Sequence, residues 1–113
     1  EVDVVEYKSG SLTLTAWASK PPAGGAKQPG VLYLHSGYAF DERDWDETEP
    51  LRQAGFAVLV PILRGENGQP GSFTLYCDEV ADCLGAADAL AARPGVDKGR
   101  LFVAGYSSGG TLA

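Results

Sequence analysis

The chain opens on two stretches that set apolar against polar positions. In Ser11–Ser19, Leu12, Leu14, Ala16 and Ala18 fall on one side and Ser11, Thr13, Thr15 and Trp17 on the other. A period of two is that of a half-buried strand. Val2–Lys8 reads as a strand too, and Ser9-Gly10 marks a tight turn, so the pair predicts an antiparallel hairpin. Lys20–Pro29, rich in Pro, Gly, Lys and Gln, reads as a surface loop.

From Gly30 onward the pattern changes. Gly30–His35, Phe56–Leu63 and Leu101–Ala104 are short, nearly continuous apolar runs. Runs without alternation indicate strands covered on both faces, as in a parallel sheet. Helical spacing lies between them. Asp44–Ala54 ends at Gly55, with Asp44 and Glu47 set as a capping box and Pro50 marking a kink or a fresh start. Tyr76–Ala92 carries Val80, Cys83, Leu84, Ala87, Leu90 and Ala91 as one apolar stripe. Asp78, Glu79, Asp82 and Asp88 oppose that stripe, and Pro94-Gly95 ends the helix. The order is β-β-β-α-β-α-β, then a Gly-rich turn opening a helix. A hairpin followed by βαβ units predicts an α/β sandwich with a mostly parallel sheet. No repeat or linker divides the 113 residues, which read as one domain.

Composition narrows the partners. The net charge of −6 repels nucleic acid and anionic lipid, so neither is expected. The longest apolar run, Phe56–Leu63, falls far short of the ~20 residues that cross a bilayer. A single His and the absence of any CxxC pair argue against a protein-built zinc site, and no cofactor is expected. On one helix Cys77 and Cys83 would stand about 9 Å apart along the axis, beyond disulfide reach, so both read as free thiols. Free thiols fit the cytosol, whereas a start without Met fits secretion. Asp41–Glu49 holds six carboxylates and one Arg and reads as a solvated helix start. It lacks the D-x-D-x-D-G spacing of a calcium loop.

The candidate chemistry lies in Gly105-Tyr106-Ser107-Ser108-Gly109-Gly110, which follows an apolar strand and opens a helix. This is G-x-S-x-G with Ser107 at its centre. A strand that reverses sharply into a helix forces the central residue into a strained backbone conformation. Side chains at the flanking positions would collide with the neighbouring strand and helix, hence the glycines. Such a turn lifts the Ser107 hydroxyl above the sheet and sets the Ser108 amide at a helix N-terminus, where negative charge is favoured. No Walker-type Lys follows, so phosphate binding is disfavoured.

Together these segments resemble the N-terminal half of an α/β-hydrolase catalytic domain, in its prolyl oligopeptidase-like and dienelactone hydrolase-like branches. Leu32–Tyr38 resembles the strand-then-H-G-G segment of that family. Ala54–Pro61 with Leu63-Arg64-Gly65 resembles its fourth strand and the R-G loop beyond, and Gly65–Gly71 is similar to bacterial members. The resemblance implies an α/β-hydrolase fold cut after strand 5 and the nucleophile elbow, with 1–113 as the first half of one domain. It implies a serine hydrolase of ester or peptide bonds, with Ser107 as nucleophile and an acyl-enzyme intermediate. The amides of Ser108 and Gly37 would form the oxyanion hole. Ser36 stands where the family has its first Gly, which leaves the choice between the Gly37 and Tyr38 amides open. Tyr38 and Arg64 are candidate substrate contacts, and Phe40 a further lining residue. Arg64 has a second reading, an ion pair with Glu66 or another nearby acid. The family's acid and His follow the nucleophile in sequence, and no Asp or His follows Ser107 here. His35 reads as a loop former rather than the base. The remainder of the hydrolase domain is therefore expected as a partner, and the chain by itself is expected to be inactive. The alternative is a non-catalytic α/β-hydrolase-like binding protein, to which the retained serine is an objection.

Overall fold

In the computed structural model, which describes residues 2–113, Val2–Ser9 (β1) and Leu12–Ser19 (β2) pair antiparallel. Ser9 lies opposite Leu12, so the turn is Gly10-Ser11, one residue later than the sequence suggested. Gln28–Leu34 (β3), Ala57–Pro61 (β4) and Val96–Gly105 (β5) complete a five-stranded sheet of order β1-β2-β4-β3-β5. β2 meets β4 antiparallel, while β4 and β5 both run parallel to β3. Every residue of β4 is buried, as its unbroken apolar run requires. β5 is longer than its apolar run, because Val96 and Asp97 also pair with Gln28 and Pro29 before a shift of register.

Alternation along β2 separates two cores rather than a core from solvent. Leu14, Ala16 and Ala18 are fully buried and join Leu32, Leu34 and Leu59 beneath helix Glu79–Ala92 (α3). Trp17, read as part of a polar face, instead packs edge-on against Phe40 at 5.0 Å and Trp45 at 6.1 Å. These rings share the opposite face of the sheet with Val31, Val58, Val60 and Ile62. The segment over 44–54, where Pro50 marked a kink or a fresh start, takes the fresh start: two short helices, Glu42–Asp46 (α1) and Glu49–Gln53 (α2). The capping box sits three residues earlier than Asp44 and Glu47. Asp41 accepts the Arg43 N–H at 2.7 Å, and Asp44 accepts the Asp41 N–H at 2.8 Å. Pro50 lies in the first turn of α2, where a missing N–H costs nothing.

The face of α3 departs furthest from the expected one. The helix begins at Glu79, not Tyr76, and buries Glu79, Asp82, Cys83, Ala86 and Leu90. Val80 and Leu84 are exposed instead. The cause is a close approach at Gly85, where a Cβ would stand 2.0 Å from the Lys8 carbonyl oxygen. Contact there turns two carboxylates inward, and each finds donors. Asp82 accepts from Ser9 Oγ at 2.5 Å, the Arg64 amide at 3.0 Å and Arg64 Nη2 at 2.8 Å. Glu79 accepts the N–H and O–H of Thr74, both at 2.7 Å. Burial of a charge is tolerable only with such pairing. Both thiols are free, and burial together with the Asp82 and Glu79 carboxylates pushes Cys83 up to about 12. Among the described residues no helix is long and apolar enough to cross a membrane.

Candidate active site

β5 ends at Gly105, and a short helix, Ser108–Leu112 (α4), follows at once. Ser107 joins them at φ +56° and ψ −117°. Side-chain-bearing residues avoid that region at a cost of ~1–3 kcal/mol. The flanking glycines close the turn. A Cβ at Gly105 would stand 2.4 Å from the Gly109 oxygen, and one at Gly109 would stand 1.9 Å from the Leu34 oxygen. The steric reason for G-x-S-x-G is thus met at both glycines. The Tyr106 N–H donates to Leu34 O at 3.3 Å, tying the elbow to the end of β3. Ser107 is exposed, and the Ser108 N–H, as the first of α4, has no acceptor within its helix.

The loop after β3 meets the elbow. Ser108 Oγ donates to the Gly37 carbonyl at 3.2 Å. Gly37, Tyr38, Arg64 and Ser108 line one cleft, so four of the five candidate residues share it, and Ser107 adjoins it through Ser108. Phe73 and Tyr76 narrow the cleft to about 20 Å³, room for little more than one water.

His35 shapes this loop and is occupied on both sides. Nδ1–H donates to Ser36 O at 2.8 Å and Nε2–H to Glu66 Oε1 at 2.9 Å. Burial works to lower its pKa. The Glu66 hydrogen bond and charge, the Ser36 carbonyl and Asp44 outweigh burial and raise it above the usual value. Glu66 also accepts the Leu63 N–H at 2.9 Å, and the Asn67 amide clamps both the N–H and C=O of Phe40 at 2.8 and 2.7 Å. Phe40 is consequently buried against Trp17 and lies outside the cleft, whereas Tyr38 stays exposed within it.

Arg64 pairs with Asp82 rather than Glu66, through Nε at 3.0 Å and Nη2 at 2.8 Å, with Ser9 Oγ 3.3 Å from Nη2. Asp41–Glu49 is only partly solvated, because Asp44 and Thr48 are buried. Among the described residues no cluster of His, Cys, Asp or Glu could hold a metal ion. Sequence reasoning missed Glu66, Asn67 and Tyr76. The first two follow directly on Arg64-Gly65, so their place beside the R-G loop was a usable signal. Tyr76 had none, since its placement depends on positive φ at Leu75 and Tyr76, 58° and 66°.

The prolyl oligopeptidase family matches residues 43–113. YtmA of Bacillus subtilis (strain 168), an uncharacterised peptidase, is 28% identical over 111 residues, covering 94% of this chain and 41% of its own length. The acylaminoacyl peptidase of Pyrococcus horikoshii superposes with a TM-score of 0.78 at 24% identity, covering 99% of this chain and 20% of that one. XC6422 of Xanthomonas campestris, described as a member of the a/b serine hydrolases without a lid, gives 0.79 at 20% identity, covering 99% and 53%. The chain thus spans less than half the length of the curated relative it matches. Its hairpin, parallel strands and flanking helices are part of an α/β-hydrolase fold. Sequence match and architecture agree: the chain belongs to the prolyl oligopeptidase family of hydrolases.

Proposed function

We propose that this chain is the first half of a serine hydrolase domain and supplies its nucleophile and oxyanion donors, for cleavage of an ester or peptide bond. The observation that carries the reading is Ser107 at positive φ between β5 and α4, flanked by two glycines that cannot bear a Cβ. Ser107 Oγ attacks the substrate carbonyl while a His from the rest of the domain takes its proton, oriented by an acidic residue. The oxyanion is held by the Ser108 N–H and an amide of the Gly37 loop, a stabilisation of about 2.7–4 kcal/mol for each donor. The leaving group departs with a proton from the His, and water releases the acyl group. Tyr38 and Arg64 form the substrate side of the cleft, with the Arg64 charge already matched by Asp82. His35 braces the loop, since both its nitrogens are occupied. A fluorophosphonate probe applied to the full-length protein is expected to label Ser107, and Ser107→Ala to abolish labelling. Labelling that persists in that variant would overturn the assignment.

A further inference from the structure

The elbow and the Gly37 loop are joined by side chains that the reaction above does not use. The Ser108 hydroxyl donates to the Gly37 carbonyl, bridging 71 residues of sequence. Tyr76 lines the same cleft as Ser108 and Tyr38. Phe73 packs edge-on against both tyrosines, 5.2 Å from Tyr38 and 5.3 Å from Tyr76. Three segments meet here: the loop after β3, the stretch before α3, and the elbow.

The position of Tyr76 is imposed by its surroundings. Leu75 and Tyr76 both have positive φ, a region that bulky side chains avoid. Glu79 holds the stretch in place through Thr74, and the Asp78 N–H donates to Thr74 Oγ1 at 2.8 Å. Leu75 is 75% exposed, so the turn does not serve to bury it. What the turn achieves is the placement of Tyr76 in the cleft that Ser108 and Tyr38 also line.

We propose that the Ser108 hydroxyl is a positioning group, which fixes the separation of the two oxyanion donors by tying the Gly37 loop to the elbow. This rests on the serine hydrolase reading. An oxyanion hole works only when both amides reach one oxygen at 2.7–3.1 Å. Its two donors here lie on separate segments, and the Ser108–Gly37 bond is a side-chain tie between them. The oxyanion exists only near the transition state, so a slack tie lowers kcat and leaves KM in place. A Ser108 hydroxyl that merely walled the substrate pocket would act on KM instead.

The test uses the full-length protein and a p-nitrophenyl ester, with thermal midpoints measured in parallel. Ser107→Ala comes first: turnover that survives it overturns the serine hydrolase reading, and this proposal with it. With Ser107→Ala silent, Ser108→Ala is expected to lower kcat about tenfold with KM nearly unchanged, short of the 10²–10³-fold loss of a whole donor. Ser108→Thr, which keeps the hydroxyl, restores most of the rate. An unchanged kcat, a loss confined to KM, or a kcat loss that tracks the thermal midpoint and is not restored by Thr overturns the proposal while leaving Ser107 as nucleophile.

Discussion

Gly109→Ala isolates the steric demand of the elbow. The added Cβ would stand 1.9 Å from Leu34 O, 2.5 Å from Leu34 C and 2.6 Å from His35 O. All three are backbone atoms, so no side chain can swing aside. An ordinary carbon–oxygen contact is about 3.3 Å, so α4 must retreat from the end of β3 by roughly 1.4 Å. β3 is pinned on both sides by β4 and β5, which leaves the short α4 to yield. Displacing a reacting group by about 1 Å costs on the order of 10²-fold in rate, and overpacking costs about 1–3 kcal/mol of stability. Gly110→Ala is the control, because its Cβ would meet nothing closer than Gly105 O at 3.4 Å. In the full-length protein, ester hydrolysis and urea unfolding are expected to show kcat/KM down about 10²-fold for Gly109→Ala and little changed for Gly110→Ala. A Gly109→Ala enzyme with near-normal kcat/KM, or equal damage from both variants, would refute the reasoning.

Three further outcomes follow from the same geometry. Asp82→Ala leaves the Arg64 guanidinium, with its side chain only 14% exposed, without its main partner, and urea unfolding should show a loss of about 3–5 kcal/mol; a loss below about 1 kcal/mol would refute it. His35 binds its proton more tightly in the folded state, through Glu66 and against the pull of burial, so its contribution to stability is complete below about pH 6.5 and fades as pH rises through the folded value. Glu66→Gln should flatten that slope in unfolding curves taken from pH 5 to 9, and an unaltered slope would count against the pair. The 113-residue chain expressed by itself leaves the outer edge of β5 unpaired, with Phe102 55% and Val103 51% exposed, and is expected to aggregate and to hydrolyse no p-nitrophenyl ester. A soluble monomer with Ser107-dependent turnover would contradict this.

The hairpin, the three parallel-sheet strands and the elbow were legible because each leaves a local trace. Alternation marks β2, unbroken apolar runs mark β3, β4 and β5, and sterics fix Gly105 and Gly109 around Ser107. The burial expected of all three apolar runs fails at β5, where Leu101, Phe102 and Val103 are exposed because the strand lies at the edge of the sheet. What was misread depends on partners distant in sequence. The inward turn of Glu79 and Asp82 needs Thr74, Ser9 and Arg64, and periodicity alone assigns acids to water. Gly85, inside a helical pattern, was the overlooked sign of close packing. Trp17 was assigned to the polar side because nothing nearby in sequence revealed Phe40 and Trp45 covering the second face. For Arg64 the ion pair with Glu66 or another nearby acid was legible, and only the packing of α3 on β1 decides that the acid is Asp82, 18 residues away.

The order β1-β2-β4-β3-β5 has a consequence for where a ligand must go. After β3 the chain leaves toward the face covered by Trp45 and α2, while after β5 it turns into α4, whose Leu112 packs against the opposite core. Two adjacent parallel strands that send their continuations to opposite faces leave a crevice between their carboxyl ends. Such a topological switch point is where open α/β sheets bind ligands, whatever side chains they carry. Gly37 and Ser108 stand on its two banks. The path of the chain thus selects the binding crevice independently of the G-x-S-x-G motif, and a sequence with other residues at 105–109 on this same path would be expected to bind its ligand in the same place.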